Sequence, residues 1–202
     1  MPEDQPHAAP PSRAVAIRAV AAAAVVIVAG VLAFILMSPP GGPRAALIGG
    51  PFALQDGKGG TVSDQTLKGR PYLVYFGYTH CPDVCPADLA KISDILDTMG
   101  RKPIPVLFIT VDPERDTPKV MADYVSSFNS AIVGLSGTPQ AVEAAEKAFR
   151  VYARKGKVEP DGGYSMDHSS IVYLMDKKGA FAEAFNVERP PADAAKELET
   201  YL

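Results

Sequence analysis

Downstream of residue 71 the chain alternates short apolar runs with stretches of helical periodicity, and no other feature limits the fold as strongly. Tyr72–Phe76 (YLVYF), Pro105–Val111 (PVLFITV) and Ala131–Leu135 (AIVGL) have the length and apolar character of buried strands. After the first run, Leu89, Ile92, Leu96 and Met99 recur at helical spacing and Gly100 closes the pattern. The segments Thr117–Phe128 and Thr138–Gly156 each open on Thr-Pro, a helix start. Ile171–Asp176 (IVYLMD) and Phe181–Asn186 (FAEAFN) are strands joined by the Lys177–Gly179 turn, and Pro190–Leu202 is a closing helix. Upstream, Phe52–Val62 has a glycine-rich turn between short apolar stretches and predicts a hairpin. This order argues for a layered α/β domain with a largely parallel central sheet. In such folds the chemistry lies in loops leaving the carboxyl ends of strands.

The N-terminal quarter belongs to something else. Ala19–Met37 is nineteen residues without a polar side chain, about 28 Å as a helix and close to the hydrocarbon thickness of a bilayer. It exceeds the apolar region of a cleaved signal peptide, and no tidy small-residue cleavage site follows it, so a retained anchor is the preferred reading. Arg13 and Arg18 precede the run and only Arg44 follows closely, which keeps the N-terminus in the cytoplasm and exports the rest. The expected organisation is a disordered cytoplasmic tail (1–18), a single transmembrane helix (19–37), a linker (38–49) and one domain (50–202). The tail lacks the Arg-rich character of a transit peptide, which favours a bacterial inner membrane with the domain in the periplasm. A net charge of −3, a pI near 5.6 and no basic cluster argue against a nucleic-acid partner.

Cys81 and Cys85 are the chain's only cysteines, and each is followed by proline in THCPDVCP, directly after the first predicted strand. Pro86 suits a first helical position, which would put Cys85 at or beside the N-cap, where orphan N–H groups and the helix dipole favour a thiolate. The CxxxC spacing alone leaves a structural disulfide, a redox couple and a metal pair open. For a metal, two sulfurs are too few for closed zinc, whereas with an imidazole they suit copper as Cu(I) or Cu(II). Three histidines are available: His7 in the tail, His80 beside Cys81, and His168 just before the strand IVYLMD. From pattern alone His168 reads first as a loop histidine that caps or hydrogen-bonds.

Three motifs taken together, Tyr75–Pro86 (YFGYTHCPDVCP), Thr110–Pro118 (TVDPERDTP) and Tyr164–Leu174 (YSMDHSSIVYL), resemble the Sco/SenC family of membrane-tethered copper proteins, over about residues 50 to 202. The resemblance implies a thioredoxin-like α/β domain with a central mixed sheet flanked by helices. It implies copper ligation by Cys81, Cys85 and His168, without His80. It also implies delivery of copper to the CuA centre of cytochrome c oxidase subunit II. The alternative is a thiol-disulfide reductase that keeps that centre's cysteines reduced, using Cys81 and Cys85 and itself reduced by a thioredoxin-like partner. A peroxidase is disfavoured, because Thr79 is followed by His80 and no peroxiredoxin-like threonine-proline approach is present. Asp83 and Asp167 read as solvated carboxylates or docking aids, Met166 as a packing residue, and Asp112 and Arg115 as a brace for their own loop.

Overall fold

The structure is a computed structural model and describes residues 48–100, 104–160 and 162–202. The tail, the apolar run 19–37 and most of the linker lie outside these residues. Among the described residues no helix is long and apolar enough to cross a membrane.

The predicted hairpin forms as β1 (Ala53–Asp56) and β2 (Thr61–Ser63). Its turn is closed by Asp56, whose Oδ1 accepts the N–H groups of Lys58 at 2.9 Å and Gly60 at 2.7 Å. The YLVYF run becomes β3 (Tyr72–Gly77), buried at all six positions. It leads through α1 (Val84–Met99) to β4 (Val106–Thr110), then through α2 (Pro118–Val125) to β5 (Ile132–Ser136). Both Thr-Pro starts hold: the Thr117 hydroxyl accepts from Val120 N–H, and the Thr138 hydroxyl from Ala141 N–H at the head of α3 (Pro139–Phe149). The chain closes with β8 (Val172–Met175), β9 (Phe181–Ala184) and α4 (Pro191–Glu199).

The seven-stranded sheet has the order β2-β1-β5-β4-β3-β8-β9. It is parallel only across β3, β4 and β5, where helices make the crossovers. β1, β2, β8 and β9 are all antiparallel to their neighbours. The expectation of a largely parallel sheet is therefore corrected: besides the two hairpins, β1 and β8 themselves enter the sheet antiparallel to β5 and β3. The mixed sheet implied by the family resemblance is what forms.

Alternation along β3 divides the aromatic core between the two faces of the sheet. On one face Tyr75 stacks on Phe108, which stacks on Tyr124 of α2. The neighbouring Phe76 packs on Phe149 of α3 and edge-on to Tyr173. α1 lies on the Tyr75 face, where Asp88 accepts the Tyr75 hydroxyl, and packs against α4.

The fold departs from the sequence reading most after Phe149. The helix read as running to Gly156 stops there, capped by Arg150 in the left-handed region at φ 57°. Ala153–Lys155 then extends as β6 and pairs with β7 (Met166–His168) in a separate two-stranded sheet. Its backbone groups are satisfied by a partner strand more than ten residues downstream, which helical periodicity could not reveal.

Candidate metal centre

β3 ends at Gly77, and the chain turns through Thr79 and Cys81 into α1. This loop is held from below by Asp116, fully buried, whose carboxylate accepts the Thr79 N–H at 3.0 Å, the Thr79 hydroxyl at 2.5 Å and the Thr110 hydroxyl at 2.8 Å. The Ser136 hydroxyl donates to the Asp116 carbonyl. Sequence reasoning passed over Asp116, although it lies inside the TVDPERDTP motif. Its three donors come from two strand ends that only the folded sheet brings together.

The helix begins two residues earlier than Pro86 suggested. Asp83 occupies the N-cap position, its carbonyl accepting from Ala87 N–H at 3.2 Å, and Cys85 is the second helical residue. Pro86 is tolerated inside this first turn because the N–H it lacks has no helical acceptor there. The Cys85 N–H donates instead to the Cys81 sulfur at 3.3 Å.

The expectation of a readily formed Cys85 thiolate is also corrected. Cys85 is fully buried, and burial pushes its thiol up to about 12, reinforced by the neighbouring Cys81. Desolvation of the anion outweighs the helix terminus. Cys81 remains partly exposed, and both cysteines are free thiols. Burial of Cys85 depends on Gly77: a Cβ there would lie 2.8 Å from the Cys85 sulfur and 2.7 Å from the Phe108 ring.

His168 reaches the thiols from the end of β7. Its Nε2 is 3.7 Å from the Cys85 sulfur, and one ligand atom each of Cys81, Cys85 and His168 all lie within 4.8 Å of one another. With its proton on Nδ1 the ring donates to the Ser169 carbonyl at 3.1 Å, leaving the Nε2 lone pair for the thiol side. Tyr78 packs edge-on against the imidazole at 5.8 Å. Two sulfurs and one nitrogen converging in this way would suit a soft cation, with one sulfur reachable from solvent.

The other sequence candidates lie around this group. His80 is outside it, with Nδ1 3.0 Å from the Thr79 hydroxyl and its ring half-exposed. Asp83 and Asp167 are exposed, and Met166 packs against the core. Arg115 pairs with the buried Asp112 at 2.5 Å, the brace expected of that loop. His7 lies outside the described residues. One buried feature escaped the sequence reading: Tyr75, counted as an apolar strand residue, donates to Asp88 at 3.0 Å beside Cys85. Its hydroxyl is held neutral chiefly by burial, with the neighbouring Asp88 carboxylate adding to the shift. The signal was faint, one carboxylate three residues after Cys85 on the helix face that carries Leu89 and Ile92.

The family model described as SCO1/SenC matches residues 41–202. The human mitochondrial protein SCO1 homolog is 39% identical over 160 residues, which cover 77% of this chain and 53% of that protein. The chain thus spans little more than half the length of that relative. The SCO2-like protein of Rickettsia felis is 39% identical over 158 residues, covering 77% of this chain and 75% of that one. Among solved structures, Bradyrhizobium japonicum ScoI with copper bound is 50% identical, with a TM-score of 0.74 over 77% of this chain and 99% of that one. A sheet of this order, two thiols on one segment meeting a histidine from another, and these similarities lead to one conclusion: the chain belongs to the SCO1/SenC family.

Proposed function

We propose that this domain binds copper through Cys81, Cys85 and His168 and acts as a metallochaperone in the assembly of cytochrome c oxidase, handing the ion to the CuA centre of subunit II. The reading is carried by the convergence of two sulfurs and an imidazole nitrogen within 4.8 Å, from residues as far as 87 positions apart, Cys81 and His168. Soft thiolates favour Cu(I), the imidazole admits Cu(II), and three donors fall one short of structural zinc. Support also comes from the copper-bound Bradyrhizobium japonicum ScoI, half of whose aligned residues are identical to those here.

The burial difference between the sulfurs suits transfer. Cys85 is the inner ligand, while the partly exposed Cys81 is the one an acceptor's ligands can reach. The cation takes the place of the protons on both thiols, so loading releases protons. A thiol-disulfide reductase would use the same pair, with Cys81 attacking a disulfide of the CuA site and a thioredoxin-like partner restoring the dithiol. That reading is the weaker one, because it gives the converging His168 imidazole no part. The proposal includes residues 19–37 as a single-pass anchor in a bacterial inner membrane, with 38–49 as linker and 50–202 in the periplasm.

The test is an anaerobic Cu(I) titration of the reduced full chain in detergent against a competing chelator, with Cys85→Ser and His168→Ala in parallel. One tight equivalent, weakened by both substitutions, is the expected result. Weak binding indifferent to His168 would overturn the copper reading and leave a redox pair.

A further inference from the structure

The third ligand stands on a hairpin with little support of its own. Among the described residues β6 and β7 pair only with each other, and a two-stranded ribbon is marginal in water. Contacts between this hairpin and the body of the domain therefore bear on where His168 sits. One set of them gathers on Tyr164, four residues before His168. Its hydroxyl donates to Asp112, buried to 3% exposure, at 2.9 Å. Its ring carries the Arg115 guanidinium at 3.6 Å and the Lys155 ammonium at 3.9 Å. Lys155 is tied in turn to Glu114 at 2.7 Å, and Arg115 to Asp112 at 2.5 Å. Arg115 also approaches the Tyr78 ring, at 5.9 Å, the ring whose edge meets His168. Among the described residues the guanidinium's buried Nη2 has no hydrogen-bond acceptor, in keeping with an arginine placed against aromatic rings.

The loop that grips Tyr164 is the loop that grips the thiol segment. Asp112 and Arg115 lie within residues 110–117, and so does Asp116, which holds Thr79 beside the cysteines. Thr110 joins the two ends of this bracket, donating to Asp116 at 2.8 Å and accepting from Asp112 N–H at 2.8 Å. One rigid loop thus sets both sides of the gap between sulfur and imidazole.

We infer that Tyr164, clamped by Asp112 and Arg115, is the positioning residue that holds His168 against the Cys81/Cys85 pair. Among the described residues it makes no hydrogen bond or ring contact with the three ligands, and it acts through the hairpin. Without this clamp the site would keep the two thiols and lose its third donor. This inference rests on the copper reading of the site.

The experiment uses the full chain in detergent, as wild type, Tyr164→Ala, Tyr164→Phe and His168→Ala. The Cu(II) form is read by electron paramagnetic resonance for imidazole nitrogen coupling, and the Cu(I) form by chelator competition. A metal-free sample is read by NMR for the cross-relaxation contact between the Tyr78 and His168 rings. Tyr164→Ala is expected to lose affinity by about 10–100-fold, approaching His168→Ala, as removal of an outer-shell support does. Its nitrogen coupling and ring contact should fade while the Cys81/Cys85 reduction potential stays unchanged, an outcome that general loosening would not give. Tyr164→Phe keeps the ring and loses only the Asp112 bond, so an intermediate loss is expected, and it decides the matter if the alanine variant does not fold. Folded variants that keep wild-type affinity, nitrogen coupling and ring contact would overturn the inference. If the wild type takes up no copper, or His168→Ala matches it, the copper reading fails instead. The ring contact in the metal-free protein then decides positioning alone: its loss in the variants supports the clamp, and its persistence refutes it.

Discussion

Gly77 shows how one absent side chain makes the centre. Its position at the end of β3 lets the Cys85 sulfur press against the strand, with Phe108 on the same face. Gly77→Ala would force its methyl group into both contacts, an overpacking that typically costs about 1–3 kcal/mol. The expected outcome is a lower urea midpoint together with weaker Cu(I) binding, because the displaced residue is the inner sulfur. A variant with wild-type Cu(I) affinity would separate Gly77 from the site. The Cys85 thiol illustrates the same point in electrostatics: its helix position favours the anion, its burial opposes it, and burial prevails.

Among the elements, the 110–117 loop and α3 support separate predictions. Asp116→Ala leaves the Thr79 N–H and the Thr79 and Thr110 hydroxyls without their acceptor in a buried setting. Leaving such donors unsatisfied costs about 2–5 kcal/mol in all. The loosened loop should also let Cys81 react faster with an alkylating reagent, a rate that thiol trapping measures directly. On α3, the half-buried Glu146 has its carboxyl raised from 4.5 to about 7 by burial, with Glu143 adding to the shift. A raised acid contributes stability below its unfolded value and loses it as pH climbs through the folded value. Thermal unfolding should therefore show wild type falling relative to Glu146→Gln between pH 4.5 and 7, with a constant gap above. Parallel curves across that window would show that Glu146 titrates normally.

At the scale of the whole molecule, the proposed anchor and the domain have separable tests. Deleting residues 1–41 should release the domain from a bacterial membrane fraction, and a protease added to spheroplasts should digest the domain in the intact chain. A domain that stays with the membrane after the deletion would remove residues 19–37 as its tether. Much of the domain was legible beforehand. Each predicted strand and helix start from Tyr72 onward has a counterpart in the structure, because buried strands, Thr-Pro caps and glycine stops are local signals carried by adjacent residues. Cys81 and Cys85 were evident as candidates for the same reason, being neighbours in the chain. His168 was evident only through its resemblance to a known motif, since its own surroundings read as a loop. The tertiary structure alone decided the end of α3 at Phe149 and the β6–β7 ribbon, while the mixed sheet was expected only through the family resemblance. It also decided the convergence of Tyr164, Asp112 and Arg115, and the burial that keeps Cys85 protonated. Each of these depends on partners far apart in sequence, or on exclusion of water, and pairing and desolvation exist only once the chain has closed on itself.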